Sequence, residues 1–143
     1  MKRRAINEII AFAFFFLFVY TSLSKLYQYD IYMFDLLRTP FLAPLARSIS
    51  IIIPVAELLV AALLIHDKTR KYAFVGSLIL MTLFTIYVCY VFFFTSERPC
   101  TCGGIIRGLS WRNHVIFNLT FLMLAIAGII LEKHKSTVAN RNN

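Results

Sequence analysis

Cysteine is scarce in this 143-residue chain: Cys89, Cys100 and Cys102 are the full set. Three is too few for a secreted scaffold stapled by disulfides. Charge is scarce as well, with 7 acidic residues against 15 Lys and Arg. The resulting excess of +8 falls in short clusters between apolar segments and forms no long basic stripe, which argues against a nucleic-acid partner. The chain lacks a phosphate-binding glycine loop, a hydrolase nucleophile elbow and paired catalytic acids, so the enzyme classes built on those devices are excluded.

What remains is apolar. Hydrophobic residues make up 59% of the chain and mean hydropathy is +0.73, outside the range of soluble globular domains. The expected class is all-α: a four-helix transmembrane bundle with a short interfacial helix after the first span. One membrane domain, 1–135, is expected, with spans near 6–26, 49–65, 72–94 and 112–131 and a polar cytoplasmic tail at 136–143; Glu132-Lys133-His134-Lys135 and the tail after it read as disordered.

Lys2-Arg3-Arg4 precedes the first, Phe-rich run. A basic start before such a run also fits a signal peptide, with Ser22-Leu23-Ser24 as its cleavage site. The many bulky aromatics favour a retained helix instead. Between Lys25 and Arg47 aromatics alternate with Asp30, Asp35 and Arg38. That mixture reads as an interfacial helix and turn, or in its second half as a plain loop. The second span is interrupted by Pro54 and carries Glu57, roughly 12 Å below its outer end at the helical rise. A carboxylate at that depth serves a proton, ligand or counter-ion role, or hydrogen-bonds a neighbouring helix to fix packing. In the third span Thr82, Thr85 and Cys89 share a face; a lone Cys in an apolar helix is most often an inert small hydrophobe. In the fourth, His114, Asn118, Phe121, Ala125 and Gly128 mark a stripe of polar and small residues that should face protein.

The concentrated chemistry lies in Pro99-Cys100-Thr101-Cys102-Gly103-Gly104. Pro and Gly supply the sharp turn that a disulfide between thiols one residue apart needs. Strained, exposed disulfides are those that exchange with partners. His114, at the mouth of span four, would raise the thiolate fraction if it faced the pair; otherwise it anchors a helix end in the interface. Lys25 reads as an interfacial snorkeller and Trp111 as an aromatic-belt anchor.

With four spans, the clusters at Lys2-Arg3-Arg4, Lys68-Thr69-Arg70-Lys71 and Lys133-His134-Lys135 share one side. The positive-inside rule makes that side cytoplasmic and puts both termini there, in the inner membrane of a bacterium. Cys100 and Cys102 then face the oxidising periplasm.

Ser22-Leu23-Ser24-Lys25-Leu26, Pro54-x-x-Glu57, Cys100-x-Cys102-Gly103-Gly104 and Ser110-Trp111-x-x-His114-x-x-x-Asn118 together resemble the MauE branch of the DoxX-like redox-associated membrane proteins, from the first span to the fourth. The resemblance implies a four-helix bundle, distantly similar to the vitamin K epoxide reductase and DsbB type. It also implies help, with a thioredoxin-like partner, in maturing a disulfide-rich dehydrogenase of methylamine utilisation. By position the family's cysteine motif falls on Cys100 and Cys102.

The expected activity is therefore thiol-disulfide exchange by Cys100 and Cys102 with a periplasmic thioredoxin-like protein, His114 and Glu57 assisting, which would make the chain a thiol-disulfide oxidoreductase if it is an enzyme. The first outer loop has no cysteine, so electrons cannot pass between two outer pairs of this chain, and nothing in the sequence supports a quinone or any other cofactor. Two rival readings stand: a soft-metal site, Cu(I) held by both thiolates with or without His114, and a static disulfide in a scaffold bundle. Zinc is disfavoured for want of a fourth ligand.

Overall fold

The computed structural model describes residues 2–94 and 110–141. Its elements are α1 (Lys2–Tyr27), α2 (Tyr29–Leu37), a 3-10 turn (Ala43–Leu45), α3 (Ala46–Ile65), α4 (Arg70–Phe94) and α5 (Trp111–Arg141). No strand occurs among the described residues, and α1, α3, α4 and α5 are each long and apolar enough to cross a membrane. Helix α3 starts at Ala46, ahead of the expected 49. Helix α5 runs on to Arg141 through the stretch expected to be a disordered tail. The polar residues after Leu131 continue its turns because they interrupt neither the backbone ladder nor the helical spacing.

In lipid, hydropathy alone cannot say which face of a helix turns inward, because lipid tails are as apolar as a core. Polar and small residues decide it. On α1 the buried set is Asn7, Ile10, Ala11, Phe14, Phe18, Thr21, Ser22 and Lys25, a stripe at three- and four-residue steps. Ile9, Phe12, Phe16 and Leu23 are exposed on the opposite face. On α3 the buried stripe is Ala46, Ser50, Pro54, Glu57, Ala61 and Leu64. On α5, His114, Asn118, Ala125, Gly128 and Glu132 are buried and Phe121 is half-buried, so the stripe faces protein as its composition required.

Helix α1 packs chiefly on α3, α4 chiefly on α5, and contacts of α3 with α4 and of α1 with α5 close the bundle. Phe14 is the hub: its ring meets Phe18, Phe74 and Phe121 with centroids 5.7, 6.3 and 5.2 Å away, the last two edge-on. Edge-to-face contacts between rings fix orientation as well as distance. Gly128 makes the α4–α5 approach possible, because a Cβ there would lie 2.6 Å from the Phe74 ring.

We call the end where α1 begins the lower end and the end where α1 stops the upper end. At the lower end the α3–α4 turn is tied down by Thr69 Oγ1, which donates to Leu63 O at 2.7 Å, and by Arg70 Nη1, 2.7 Å from Asp67. Asn7 Nδ2 donates to Glu132, joining α1 to α5 inside the bundle. At the upper end α2 lies against α3, with Tyr32, Leu36 and Ala46 as a small second core. Pro54 does not stop α3, although it removes the N–H that would bond four residues back. Ser22 Oγ of α1 donates to Pro54 O at 3.0 Å, so the interrupted turn is held from the neighbouring helix.

Gly128→Val is expected to destabilise the bundle by about 1–3 kcal/mol, because Phe74 is fully buried and has nowhere to move. In Gly76→Ala the new Cβ meets only a Val60 methyl, at 2.9 Å, and the cost should be smaller. Denaturant unfolding of the two purified variants in detergent checks the order.

Candidate functional site

The polar residues of the upper half converge on one cavity of about 360 Å³ between the α1/α3 and α4/α5 pairs, capped by α2 and the segment that follows it. Lys25 and Thr21 reach it from α1, Glu57 from α3, His114 and Asn118 from α5, and Tyr32 from α2. Most of its remaining wall is Phe, Leu and Ile.

Glu57 is the centre. It is fully buried, and its Oε1 lies 2.6 Å from Lys25 Nζ and accepts from Thr21 Oγ1 at 3.1 Å. Thr21 and Lys25 are four residues apart, which puts them one above the other on the face of α1 that meets α3. The Thr21 hydroxyl also lies 3.3 Å from Phe18 O; having a single proton, it serves one acceptor at a time. Lys25 Nζ sits 5.2 Å from the Phe84 ring centroid, so α4 supplies a cation–π contact to the same ammonium.

A buried ion pair carries a desolvation cost that its own attraction offsets only with good geometry and further hydrogen bonds. Oε1 of Glu57 has both. Its Oε2 is buried without a hydrogen-bond partner among the described residues, and the same holds for Asn118 Nδ2, from a side chain that also lines the cavity. An acceptor and a donor therefore remain unanswered beside one cavity.

Of the residues singled out in the sequence, Glu57, His114 and Lys25 come together here. The expected role of Lys25 is corrected. A snorkelling lysine would carry its ammonium out to the headgroups, but the Lys25 side chain is 5% exposed and turns inward to Glu57. The nearby carboxylate outweighs the pull of water. Trp111 begins α5, but its side chain is outside the described residues. Cys89 is half-buried on α4, free, and not part of the cavity wall. Thr82 and Thr85 donate back to their own helix, to Leu78 O and Met81 O, and build no site. Cys100 and Cys102 lie outside the described residues. Among the described residues no cluster of three His, Cys, Asp or Glu is placed to hold a metal ion.

Sequence reasoning missed Thr21, visible in hindsight as the polar neighbour of Lys25 one turn away. It also missed the buried Asn7–Glu132 pair, because Glu132 opens a charged run that reads as tail. The available signal was periodicity: Glu132 continues the stripe His114, Asn118, Phe121, Ala125, Gly128 at its next step.

A bundle with four helices long enough to span, a buried ion pair inside it and a cavity at one end defines the class: an integral membrane protein. Within that class the chain belongs to the family described as "Methylamine utilisation protein MauE", whose family model matches residues 3–131. It is a membrane protein related to methylamine utilisation. Comparison with curated proteins and with solved structures gives no match.

Removing one member of the Lys25–Glu57 pair leaves the other charge buried and should cost about 3–5 kcal/mol, whereas Lys25→Met combined with Glu57→Leu should recover much of that loss. A double-mutant cycle on unfolding in detergent gives the coupling; purely additive effects would mean that the two side chains do not depend on each other.

Proposed function

We propose that the protein is a membrane-embedded thiol-disulfide exchange component of methylamine utilisation, in which Cys100 and Cys102 cycle between dithiol and disulfide with a periplasmic thioredoxin-like partner. The two thiols of one protein give two electrons and two protons to the disulfide of the other, through a mixed disulfide attacked by the second thiol. Either direction balances. The observation that carries this reading is positional. α4 ends and α5 begins at the end that holds Lys25, Glu57 and His114, and in the sequence the C-x-C motif falls between those two helices. Cationic side chains near a thiol favour the thiolate, the attacking form.

On this reading the upper end faces the periplasm and both termini face the cytoplasm, in a bacterial inner membrane. The basic clusters support that orientation: Arg3, Arg4, Lys68, Arg70, Lys71 and Lys133 lie at the lower end or in its turn. The family match supports the link to methylamine utilisation; on this reading the client is a disulfide-containing protein of that process, with the thioredoxin-like partner carrying electrons to or from it.

Cys100→Ser and Cys102→Ser, each expressed with the native partners present, should between them trap a reductant-sensitive mixed disulfide with a thioredoxin-fold protein, seen as a mass increase on non-reducing gels. Absence of any adduct from both variants would contradict the exchange reading. For orientation, a membrane-impermeant maleimide applied to intact spheroplasts should label reduced Cys100 and Cys102 but spare a cysteine placed at Ser136.

A further inference from the structure

The upper cavity opens sideways, between α3 and α4. Near their shared turn these helices pack closely: a Cβ on Gly76 of α4 would lie 2.9 Å from a Val60 methyl of α3. Toward the upper end the two helices share the cavity instead, with Ile49 and Ile53 on one side and Leu83, Ile86 and Tyr87 on the other. Leu83 and Ile86 line it and yet are 50% and 62% exposed. They continue the exposed stripe of Val75 and Ile79, which in a membrane-spanning helix faces lipid. Higher still, the ring of Phe41, from the segment after α2, stands edge-on to Tyr90 of α4 with centroids 4.7 Å apart. The result is a window onto the bilayer, closed below by Gly76 against Val60 and above by Phe41 against Tyr90.

Behind the window the surface is hydrocarbon. Glu57, His114, Asn118, Lys25 and Thr21 belong to the wall, but each is more than nine-tenths buried, and what the wall presents to the space is almost wholly apolar. Glu57 Oε2 and Asn118 Nδ2 are themselves covered by protein and out of reach from the cavity. Water needs several polar partners to settle in a cavity, and one of roughly 150 Å³ walled by Leu, Ile and Phe stays dry and takes up benzene. This one measures about 360 Å³. Its walls gain dispersion contacts only from an apolar occupant. In a membrane one such molecule always stands at the window: the lipid whose chains cover Leu83 and Ile86. The volume lies at the small end of the range for ligand sites, which leaves a phospholipid headgroup outside and admits part of a chain. A chain that moves in from the bilayer exchanges one hydrocarbon surrounding for another, so no hydrophobic transfer drives it. The gain is contact with the walls, offset by the ordering of the chain. Such an occupant exchanges with bulk lipid and is detected by proximity, not by tight binding.

We propose that the upper cavity is a binding site for one acyl chain of a bilayer phospholipid, which enters between α3 and α4 past Leu83 and Ile86. Helices α1 and α5 close the bundle on the side away from that window. Leu17 of α1 and Phe117 of α5, both half-buried and both in the cavity wall, are the residues the chain reaches there. The site is independent of the cysteines and stands whether or not they exchange.

The test uses the full-length protein in nanodiscs of phosphatidylcholine, a fraction of which carries a photoactivatable diazirine in one acyl chain. After illumination the cross-linked residues are mapped by peptide mass spectrometry. Lipid on the outside of the bundle should label Ile79, which is exposed and does not line the cavity. A chain inside should label Leu17 and Phe117 as well. Leu83→Trp fills the window from the lipid-facing surface and leaves every buried residue in place; label at Leu17 and Phe117 should be lost while label at Ile79 persists. Ile86→Trp obstructs the same window one turn higher and gives the same reading if Leu83→Trp fails to fold. Absence of label from both Leu17 and Phe117 in the wild-type protein would overturn the proposal. Label there that survives in the obstructed variants would overturn it too, since it would have arrived from outside the bundle by another side.

Discussion

The placement of a carboxylate inside an apolar bundle is the constraint from which the rest of the upper half follows. Glu57 can occupy the middle of α3 only if a cation is brought to it, and the bilayer offers none. Lys25, at the last turn of α1, supplies it. That one contact fixes how far α1 slides along α3, because a shift by a single turn would separate the charges by about 5.4 Å and leave both unpaired. Ser22 bonding to Pro54 O and Thr21 bonding to Glu57 lock the same register from the adjacent turns.

The lower half repeats the principle with different chemistry. Asn7 joins Glu132 of α5, so α1 is tied by polar contacts to α3 at its upper end and to α5 at its lower end. Between these ties sits Phe14, in ring contact with α4 and α5. Neither helix pairing has a hydrophobic driving force of its own in lipid. Close packing at Gly128 and the buried polar contacts supply the specificity, and the cavity remains where α1/α3 and α4/α5 separate.

The four spans were legible because each is a long apolar run bounded by charge, and in a bilayer that pattern has few other solutions. The inward stripe of α5 was legible for a related reason: His114, Asn118 and Gly128 have no business facing lipid. Glu57 announced itself by cost. Its partner did not, since a lysine near a helix end is ordinarily drawn to the headgroups, and only packing reveals that α1 turns its last turn toward α3. Glu132 was hidden in the same way by the charges that follow it. The helical run to Arg141 escaped notice because a polar, charged sequence is compatible with both helix and coil.

α4 ends and α5 begins at the end where Lys25, Glu57 and His114 are gathered, and the C-x-C motif lies between these helices in the sequence. Our proposal gives this chain an exchanging thiol pair. The reduction potential of Cys100–Cys102 in native membranes, titrated against glutathione buffers and read by the mass shift on alkylation, tests it most directly. Exchange requires a midpoint among those of exchange catalysts, on the order of −120 to −270 mV; a midpoint below about −300 mV, the range of inert structural disulfides, would contradict exchange.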